Sequence, residues 1–200
     1  MSEGVMCEPG IPSMGGHEIG RDLELWASQC EPGTVAVELG SWLGAGTYHI
    51  AKEAPVPVHC FDRWKCRGRE PEKAALEGID IRQGQDLLPV IKRNLSQYQN
   101  VIYHKGEIIG RPHWRGPHIS LYVDDACKRS PTYEYALSIF QPWWIPGKTI
   151  VVLMDYYWHK KHKDEPSAQA QPRWYKDNKK KLELIKEWPE LRPAAFRWLG

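Results

Sequence analysis

Residues 35–53 read VAVELGSWLGAGTYHIAKE, and this stretch decides the fold. It opens inside a short apolar run, 34–39, which is typical of a buried β-strand. Glycines at positions 40, 44 and 46 interrupt the apolar run, and a helical pattern begins near Thr47. Glycines after a strand let the chain turn tightly and bring backbone N–H groups close to a ligand. The stretch therefore predicts a strand, a ligand-facing loop and a helix in direct succession.

The same alternation of strand and helix patterns continues on both sides of this stretch. Apolar runs predict further strands at 56–61, 101–104, 118–123, 149–154 and 195–199. Apolar residues at helical spacing predict helices at about 19–30, 86–97, 130–140 and 174–188. Strands that are joined by helical crossovers form a parallel sheet with helices on both faces. We therefore expect an α/β fold with a doubly wound, mostly parallel sheet.

Composition limits the number of domains and the class of protein. The chain has 200 residues, of which 42% are hydrophobic and 26% are charged, so it suits one globular domain. Residues 1–16 are rich in glycine and proline, and we predict a flexible N-terminal arm or lid there, with 17–200 forming a single domain. The formal charge of +2 does not favour nucleic acid or an anionic membrane as a partner.

Two further features predict a cytoplasmic location. The longest apolar run, 150–154, is far shorter than the roughly 18 residues that span a bilayer. The five cysteines show no Cys-x-x-Cys pair and no zinc-site spacing, which favours a reducing compartment.

Acidic residues and glycines follow the predicted strands, where ligands bind in sheets of this kind. Asp62 lies 22 positions after Gly40, at the end of the second strand, where a carboxylate can accept hydrogen bonds from both hydroxyls of a ribose. The glycine loop lacks the Gly-x-Gly-x-x-Gly pattern of a pyrophosphate site, because bulky Trp42 follows Gly40 two places on. The pattern predicts a cofactor with a ribose and without a diphosphate.

These motifs resemble, in their order, those of class I S-adenosylmethionine-dependent methyltransferases. VAVELGSWLGAGTYHIAKE is similar to the glycine-rich first motif of that family, and VHCFDRW to its second strand with the ribose-binding acid. NVIYHKGEI, ISLYVDD and GKTIVVLMDYYW resemble its third, fourth and fifth strands, so the resemblance spans about 19–158. The most similar branch contains small-molecule O-methyltransferases that act on sugars and catechol-like compounds. The resemblance implies a Rossmann-like fold and methyl transfer from S-adenosylmethionine to a small-molecule hydroxyl.

The resemblance also implies which residues bind the cofactor. Glu38 and the loop backbone around Gly40, Ser41 and Gly44 would hold the methionine end of S-adenosylmethionine.

The remaining implied contacts lie after the second, third and fourth strands. Asp62 would bind the ribose, and Asp124 would face the sulfonium. Trp64 and the turn of Gly106 and Glu107 would flank the adenine.

Relatives that use magnesium hold it with acids after the fourth and fifth strands, because the ion orients the acceptor oxygen and lowers its pKa. Asp124 and Asp155 match two of those metal-binding positions. Met154 and Tyr156 stand where the family usually has a further carboxylate or amide, so metal-dependent and metal-free routes both stay open.

A metal-free reaction needs a general base within hydrogen-bond reach of the acceptor hydroxyl. We predict His159 for this role, because the unperturbed pKa of histidine is about 6.5. Asp155, Lys128 and Asp125 are alternative bases in the same loops.

Two other functions stay open. Tyr156 in place of an expected metal ligand also fits a catalytically inactive domain that acts as a binding or scaffold partner. The stretch 160–186 holds nine Lys/Arg against four Asp/Glu, which would suit an RNA or protein methyltransferase. The sequence does not identify the methyl acceptor. It does not determine the oligomeric state either, and a homo-oligomer stays open.

Overall fold

The structure, a computed structural model, describes residues 6–7, 10–13, 17–76, 78–111 and 113–200. The strands are β1 (Met6–Cys7), β2 (Ile11–Pro12), β3 (Val35–Leu39), β4 (Val58–Asp62), β5 (Val101–Lys105), β6 (Ile119–Asp124), β7 (Ile150–Leu153), β8 (Leu182–Glu187) and β9 (Ala194–Trp198). The α-helices are α1 (His17–Ser28), α2 (Ala45–Glu53), α3 (Glu70–Leu76), α4 (Leu88–Asn94), α5 (Thr132–Phe140) and α6 (Ala170–Asn178).

Seven strands form one sheet in the order β5-β4-β3-β6-β7-β9-β8. The five strands from β5 to β7 are mutually parallel, and β9 runs antiparallel between β7 and β8. The chain leaves β3 toward β4 and β5 on one side and then returns to place β6 on the other side of β3. This topology confirms the predicted doubly wound, mostly parallel sheet, and it opens a crevice between the ends of β3 and β6.

The sheet is covered by an apolar core on each face. Helices α1, α2 and α4 pack on one face, and α5 and α6 pack on the other. Strand β3 contributes to both cores, because Ala36 faces the first core while Val35 and Val37 face the second. Burial on both faces explains why its sequence is a continuous apolar run rather than an alternating one.

The crossover between β5 and β6 departs from the strand–helix alternation. In the described residues between them, 106–111 and 113–118, the chain forms turns and irregular loop without a helix. This loop, instead of a packed helix, therefore lies over part of the sheet face that α5 covers farther along.

The predicted helix at 174–188 is wrong in its second half. Helix α6 ends at Asn178, a 3-10 turn follows at Lys179–Lys181, and β8 then pairs antiparallel with β9. Only Leu182 of β8 is buried, because β8 is the edge strand of the sheet. Its partner β9 comes later in the chain. The local pattern at 182–187 therefore predicted a helix, because it contains no information about this pairing.

The sequence did not predict α3 either. Only Ala74 of this seven-residue helix is buried, so the helix lacks the apolar stripe by which amphipathic helices are recognised.

The described parts of the predicted N-terminal arm contain a small hairpin. Strand β1 pairs antiparallel with β2, and Ile11 of β2 is buried against the core that contains α1 and α2. Residues 1–5, 8–9 and 14–16 lie outside the described residues, so the lid stays a prediction.

No helix within the described ranges combines the length and the hydropathy that crossing a bilayer requires. Four cysteines whose side chains the structure describes, Cys30, Cys60, Cys66 and Cys127, are buried free thiols. Burial raises the pKa of Cys30 to about 12, so this thiol stays protonated at neutral pH. The cytoplasmic location stays a prediction.

Two histidines bridge neighbouring strands on the α5 face of the sheet. Nδ1 of His59 in β4 lies 2.8 Å from Nε2 of His104 in β5, and the two rings stack with centroids 5.1 Å apart. Burial, helped by the neighbouring His104, lowers the pKa of His59 from 6.5 to about 4. Between these two values the unfolded chain binds more protons than the folded chain, so the free energy of unfolding rises with pH.

We therefore expect acidification to weaken the fold through His59. Between neutral pH and about pH 4.5, this group should remove about 1–2 kcal/mol from the free energy of unfolding, after allowance for its partial exposure. Urea unfolding at several pH values would measure the effect, with His59→Gln as the variant that does not titrate. Equal pH dependence in both proteins would contradict the assignment.

Candidate functional site

A cleft opens where the strand order reverses, at the carboxyl ends of β3 and β6. Its volume, including the solvent-open mouth, is about 520 Å³. The loop after β3 and helices α1 and α2 form most of its walls, and Asp125 and Met154, which follow β6 and β7, close another side. Pro12 and Ser13, beside the N-terminal hairpin, also line it.

Two glycines of the loop are required by its shape. Gly40 has φ 89°, and a Cβ there would lie 2.9 Å from the backbone carbonyl of Asp125. A Cβ at Gly46 would collide with Oε1 of Glu38. Ala45 and Gly46 line the cleft and begin α2, so the positive end of this helix lies at the cleft. Gly44, which was predicted to bind cofactor, lies outside the cleft lining, and a Cβ there would meet Ile91.

Glu38 is the buried acid of the cleft. Its side chain is 3% exposed, and Oε2 accepts hydrogen bonds from the hydroxyls of Ser41, at 2.7 Å, and Thr47. Burial raises the pKa of Glu38 in spite of these two bonds. A cationic ligand group beside Glu38 would favour its ionised form. Glu38, Gly40 and Ser41 therefore line one cleft, and their role in holding the methionine end of a cofactor stays a prediction.

Asp62 connects the loops that follow β3 and β4. Its Oδ2 accepts the backbone N–H of Trp42 at 3.0 Å, and its Oδ1 accepts the backbone N–H of Trp64 at 2.6 Å. A carboxylate offers about four lone-pair positions, so each oxygen keeps capacity for one more donor. That remaining capacity matches the two hydroxyls of a ribose, and this role stays a prediction.

The predicted adenine contacts do not reach this cleft. Trp64 is 0% exposed, and its ring centroid lies 5.8 Å from that of Tyr103, so its indole does not reach the cleft. Trp64, Gly106 and Glu107 together line a separate cavity beyond β4, where exposed Glu107 pairs with Arg67 at 3.1 Å, and their role toward an adenine stays a prediction. An apolar indole is stabilised by burial, and the sequence alone did not show that the core had room for it.

Asp124 turns away from the cleft. Its side chain is 1% exposed, and Oδ1 accepts the backbone N–H groups of Ala126, at 3.1 Å, and Cys127, at 2.7 Å. Burial raises the pKa of Asp124 to about 6. The prediction that Asp124 faces the sulfonium is therefore wrong, because its neighbour Asp125 is the acid that lines the cleft.

The strand register explains why Asp125, and not Asp124, lines the cleft. Val123 pairs with Glu38 across β6 and β3, so their side chains point to the same side of the sheet. Asp125 lies two residues after Val123 and lines the cleft with it. Alternation counted from Val123 was the sequence signal that would have selected Asp125. Burial, followed by the negative charges of Asp155 and Glu38, raises the pKa of Asp125.

Asp155 is already paired with cations. Its Oδ2 lies 2.5 Å from Nζ of Lys128, and its Oδ1 lies 3.5 Å from the guanidinium of Arg192. Magnesium needs several oxygen ligands in near-octahedral order, and neighbouring cations oppose it. Within the described residues, no group of three or more His, Cys, Asp or Glu side chains is placed to hold a metal ion. The predicted magnesium site of Asp124 and Asp155 therefore does not fit these residues.

Among the described side chains, one histidine lines the cleft, and it is not the predicted one. His49 in α2 lines the cleft, and its Nδ1 lies 2.8 Å from Oε1 of Glu24 in α1. His159 lies in the 3-10 helix Tyr156–Lys161, where its Nδ1 lies 2.6 Å from the Tyr156 carbonyl. His159 is not among the residues that line the cleft. No local sequence signal pointed to His49, because its partner Glu24 lies on another helix.

Comparison with solved structures shows which known proteins share this architecture. The O-methyltransferase NovP has a TM-score of 0.68 and 17% identity, over 94% of this chain and 82% of its own. The O-methyltransferase TomG from Streptomyces achromogenes, involved in tomaymycin synthesis and solved in complex with SAM, has a TM-score of 0.59 and 17% identity, over 92% of this chain and 81% of its own. An rRNA methylase from Streptococcus thermophilus has a TM-score of 0.55 and 13% identity, over 94% of this chain and 100% of its own.

These similarities confirm the fold that the sequence motifs predicted. The chain has the Rossmann-like α/β fold of these methyltransferases. No family profile matches the sequence, and no curated protein matches it either.

We expect Asp62→Ala to destabilise the protein by about 1–3 kcal/mol, because two backbone N–H groups lose their acceptor. Asp80→Ala is the control, since Asp80 is exposed and pairs with Arg82 only at 3.8 Å, and it should change stability by less than about 0.5 kcal/mol. Urea unfolding of the two variants measures the difference. Equal stability of both would show that Asp62 does not hold the loops.

Proposed function

We propose that this chain is an S-adenosylmethionine-dependent methyltransferase that methylates a hydroxyl group of a small molecule. The observation that carries the proposal is the cleft at the strand reversal, where the glycine loop, Glu38 and Asp125 meet beside Asp62. The fold supports it, because NovP and TomG are O-methyltransferases and TomG was solved with SAM.

The charges of the cleft are complementary to this donor. S-adenosylmethionine carries an ammonium and a sulfonium, and the cleft presents the carboxyl groups of Glu38 and Asp125. Burying an uncompensated charge is costly, and a cationic ligand removes part of that cost. The donor also carries a ribose diol, for which Asp62 keeps two acceptor positions, and it has no phosphate.

Methyl transfer is an in-line displacement at the methyl carbon. The acceptor oxygen forms a bond to that carbon while the carbon–sulfur bond breaks, and the electron pair stays on sulfur as a neutral thioether. The protein must align the two reactants and keep water out. The hydroxyl proton passes to a base, and we assign this role to Asp125 because it lines the cleft, whereas His159 does not.

The reaction that we propose needs no divalent ion. Lys128 and Arg192 already neutralise Asp155, so a cation from the chain itself occupies the position where the metal-dependent relatives would place magnesium. Asp124 is buried, and its Oδ1 already accepts two backbone N–H groups.

Removing metals should therefore leave the protein unchanged. EDTA or added Mg²⁺ should alter neither the affinity for S-adenosylhomocysteine nor the rate of methyl transfer to an acceptor. Calorimetry measures the first quantity, and transfer of a radiolabelled methyl group measures the second. Loss of transfer with EDTA and recovery with Mg²⁺ would overturn the metal-free mechanism.

Calorimetry with S-adenosylhomocysteine tests the proposed function directly, and we expect a dissociation constant in the micromolar range, on the order of −8 kcal/mol of binding free energy. Glu38→Gln keeps the size of the side chain and removes its charge, and should weaken binding by about tenfold. Glu183→Gln on the edge strand β8 is the matched control and should bind as wild type does.

Absence of binding by the wild-type protein would remove the proposal. Tight binding without turnover on a panel of sugars, phenols and other hydroxyl compounds would favour the alternative of a binding or scaffold domain.

One observation favours RNA as a second candidate acceptor. The stretch 160–186 is rich in lysine, and an rRNA methylase shares the fold. The structure divides that stretch among 3-10 helices, α6 and β8, so its charges are spread over several elements. RNA binding that falls steeply with salt would support this candidate, and salt-independent or absent binding would exclude it.

A further inference from the structure

The missing helix between β5 and β6 leaves a cavity on the sheet face. His59 and Phe61 of β4 and His104 of β5 face this cavity, and Ile139 and Phe140 of α5 form another wall. The loop that follows β5 covers the remaining side. The volume of the cavity is about 320 Å³, which lies at the lower end of the range of about 300–1,000 Å³ that is usual for small-molecule sites. The cavity shares no lining residue with the cleft at the carboxyl ends of β3 and β6, which we call the donor cleft.

The walls of the cavity are aromatic. The rings of Phe61 and His104 stack with centroids 4.2 Å apart, and His59 extends this stack on the other side of His104. The Trp114 indole stands at 89° to the His59 ring, with centroids 4.9 Å apart. Its Nε1 donates to the Pro117 carbonyl at 2.9 Å, which fixes the indole in the loop. Aromatic surfaces at right angles suit a flat ring, which can contact one face-on and the other edge-on.

The charge of the cavity is positive. Its lining includes Arg111 and Arg115 and no aspartate or glutamate. The guanidinium of Arg111 lies 5.1 Å over the Phe61 ring and donates to the carbonyls of His104, at 2.8 Å, and Gly106, at 2.7 Å. Its Nε is buried and has no hydrogen-bond partner among the described residues. Backbone carbonyls hold Arg111 in place, and the nearby carboxylates of Asp62 and Glu107, which do not line the cavity, favour its charged form, so the cavity keeps a fixed cation.

We propose that this cavity binds a planar aromatic or heteroaromatic anion, a flat ring that carries a carboxylate or a phosphate. The ring lies against Trp114 and the stacked side chains of β4 and β5. The anionic group faces the loop arginines, of which exposed Arg115 is free to close over it. This site does not depend on the proposed methyl transfer.

Three naphthalene probes of the same ring size test the proposal on the full chain. We expect 2-naphthoate and 2-naphthyl phosphate to bind, and neutral 2-naphthalenemethanol to bind at least about tenfold more weakly, because a charge-assisted hydrogen bond is lost. The tighter of the two anions identifies carboxylate or phosphate as the natural group. Calorimetry gives the affinities, and the fluorescence of the protein reports contact with tryptophan.

Matched arginine variants locate the binding. Arg115→Gln should weaken the binding of both anions by about fivefold or more and leave the alcohol unchanged. Arg69→Gln is the control, since the Arg69 side chain is 84% exposed and is not among the residues that line the cavity. Trp114→Leu should weaken all three probes, because every probe carries the ring.

Three results would overturn the proposal: no binding of either anion, equal affinity for the alcohol and the anions, or equal effects of Arg115→Gln and Arg69→Gln. Saturating S-adenosylhomocysteine should not displace the probes, and displacement would place them in the donor cleft instead. A protein that binds no S-adenosylhomocysteine would fail the proposed function and still give a clear result with these probes.

Discussion

One carboxylate holds together the two loops on which the cleft depends. Trp42 and Trp64 both have positive φ, 43° and 42°, although neither is a glycine. Such conformations cost on the order of 1 kcal/mol or more each and persist only where the surroundings fix them. Each of these residues donates its backbone N–H to Asp62. The shape of the glycine loop after β3 therefore depends on the acid that ends β4.

The acids at this end of the sheet form two groups, those held by cations or backbone N–H groups and those that line the cleft. Asp155 is neutralised by Lys128 and Arg192, and Asp124 accepts two backbone N–H groups. Glu38 and Asp125 line the cleft, and burial raises the pKa of both. Glu38 and Asp125 are the acids left to meet a ligand, and their ionised forms are costly without one, so a cationic ligand would suit this cleft better than a phosphate.

Most of the fold could be predicted because its signals are local. Strand β3 is buried on both faces, and its apolar run is visible without knowledge of any partner. Helix α1 could be predicted for the same reason, since Leu23 and Trp26 lie on one face of the helix and are buried. Strand β8 could not be predicted in this way, because an edge strand buries little and its partner β9 lies farther along the chain. Helix α3 was not predicted for a related reason, since it buries only Ala74.

The sequence by itself determined the succession of β3 to β7 along the chain, the position of the glycine loop and the acids at the ends of these strands. Only the tertiary structure decided that Asp125, not Asp124, lines the cleft, that Trp64 lies in the core, and that His49 enters the cleft in place of His159. The physical reason is the range of the contacts involved. Apolar patterns and glycine conformations act between neighbours, whereas the direction and pairing of a polar side chain depend on residues far away, as Arg192 does for Asp155.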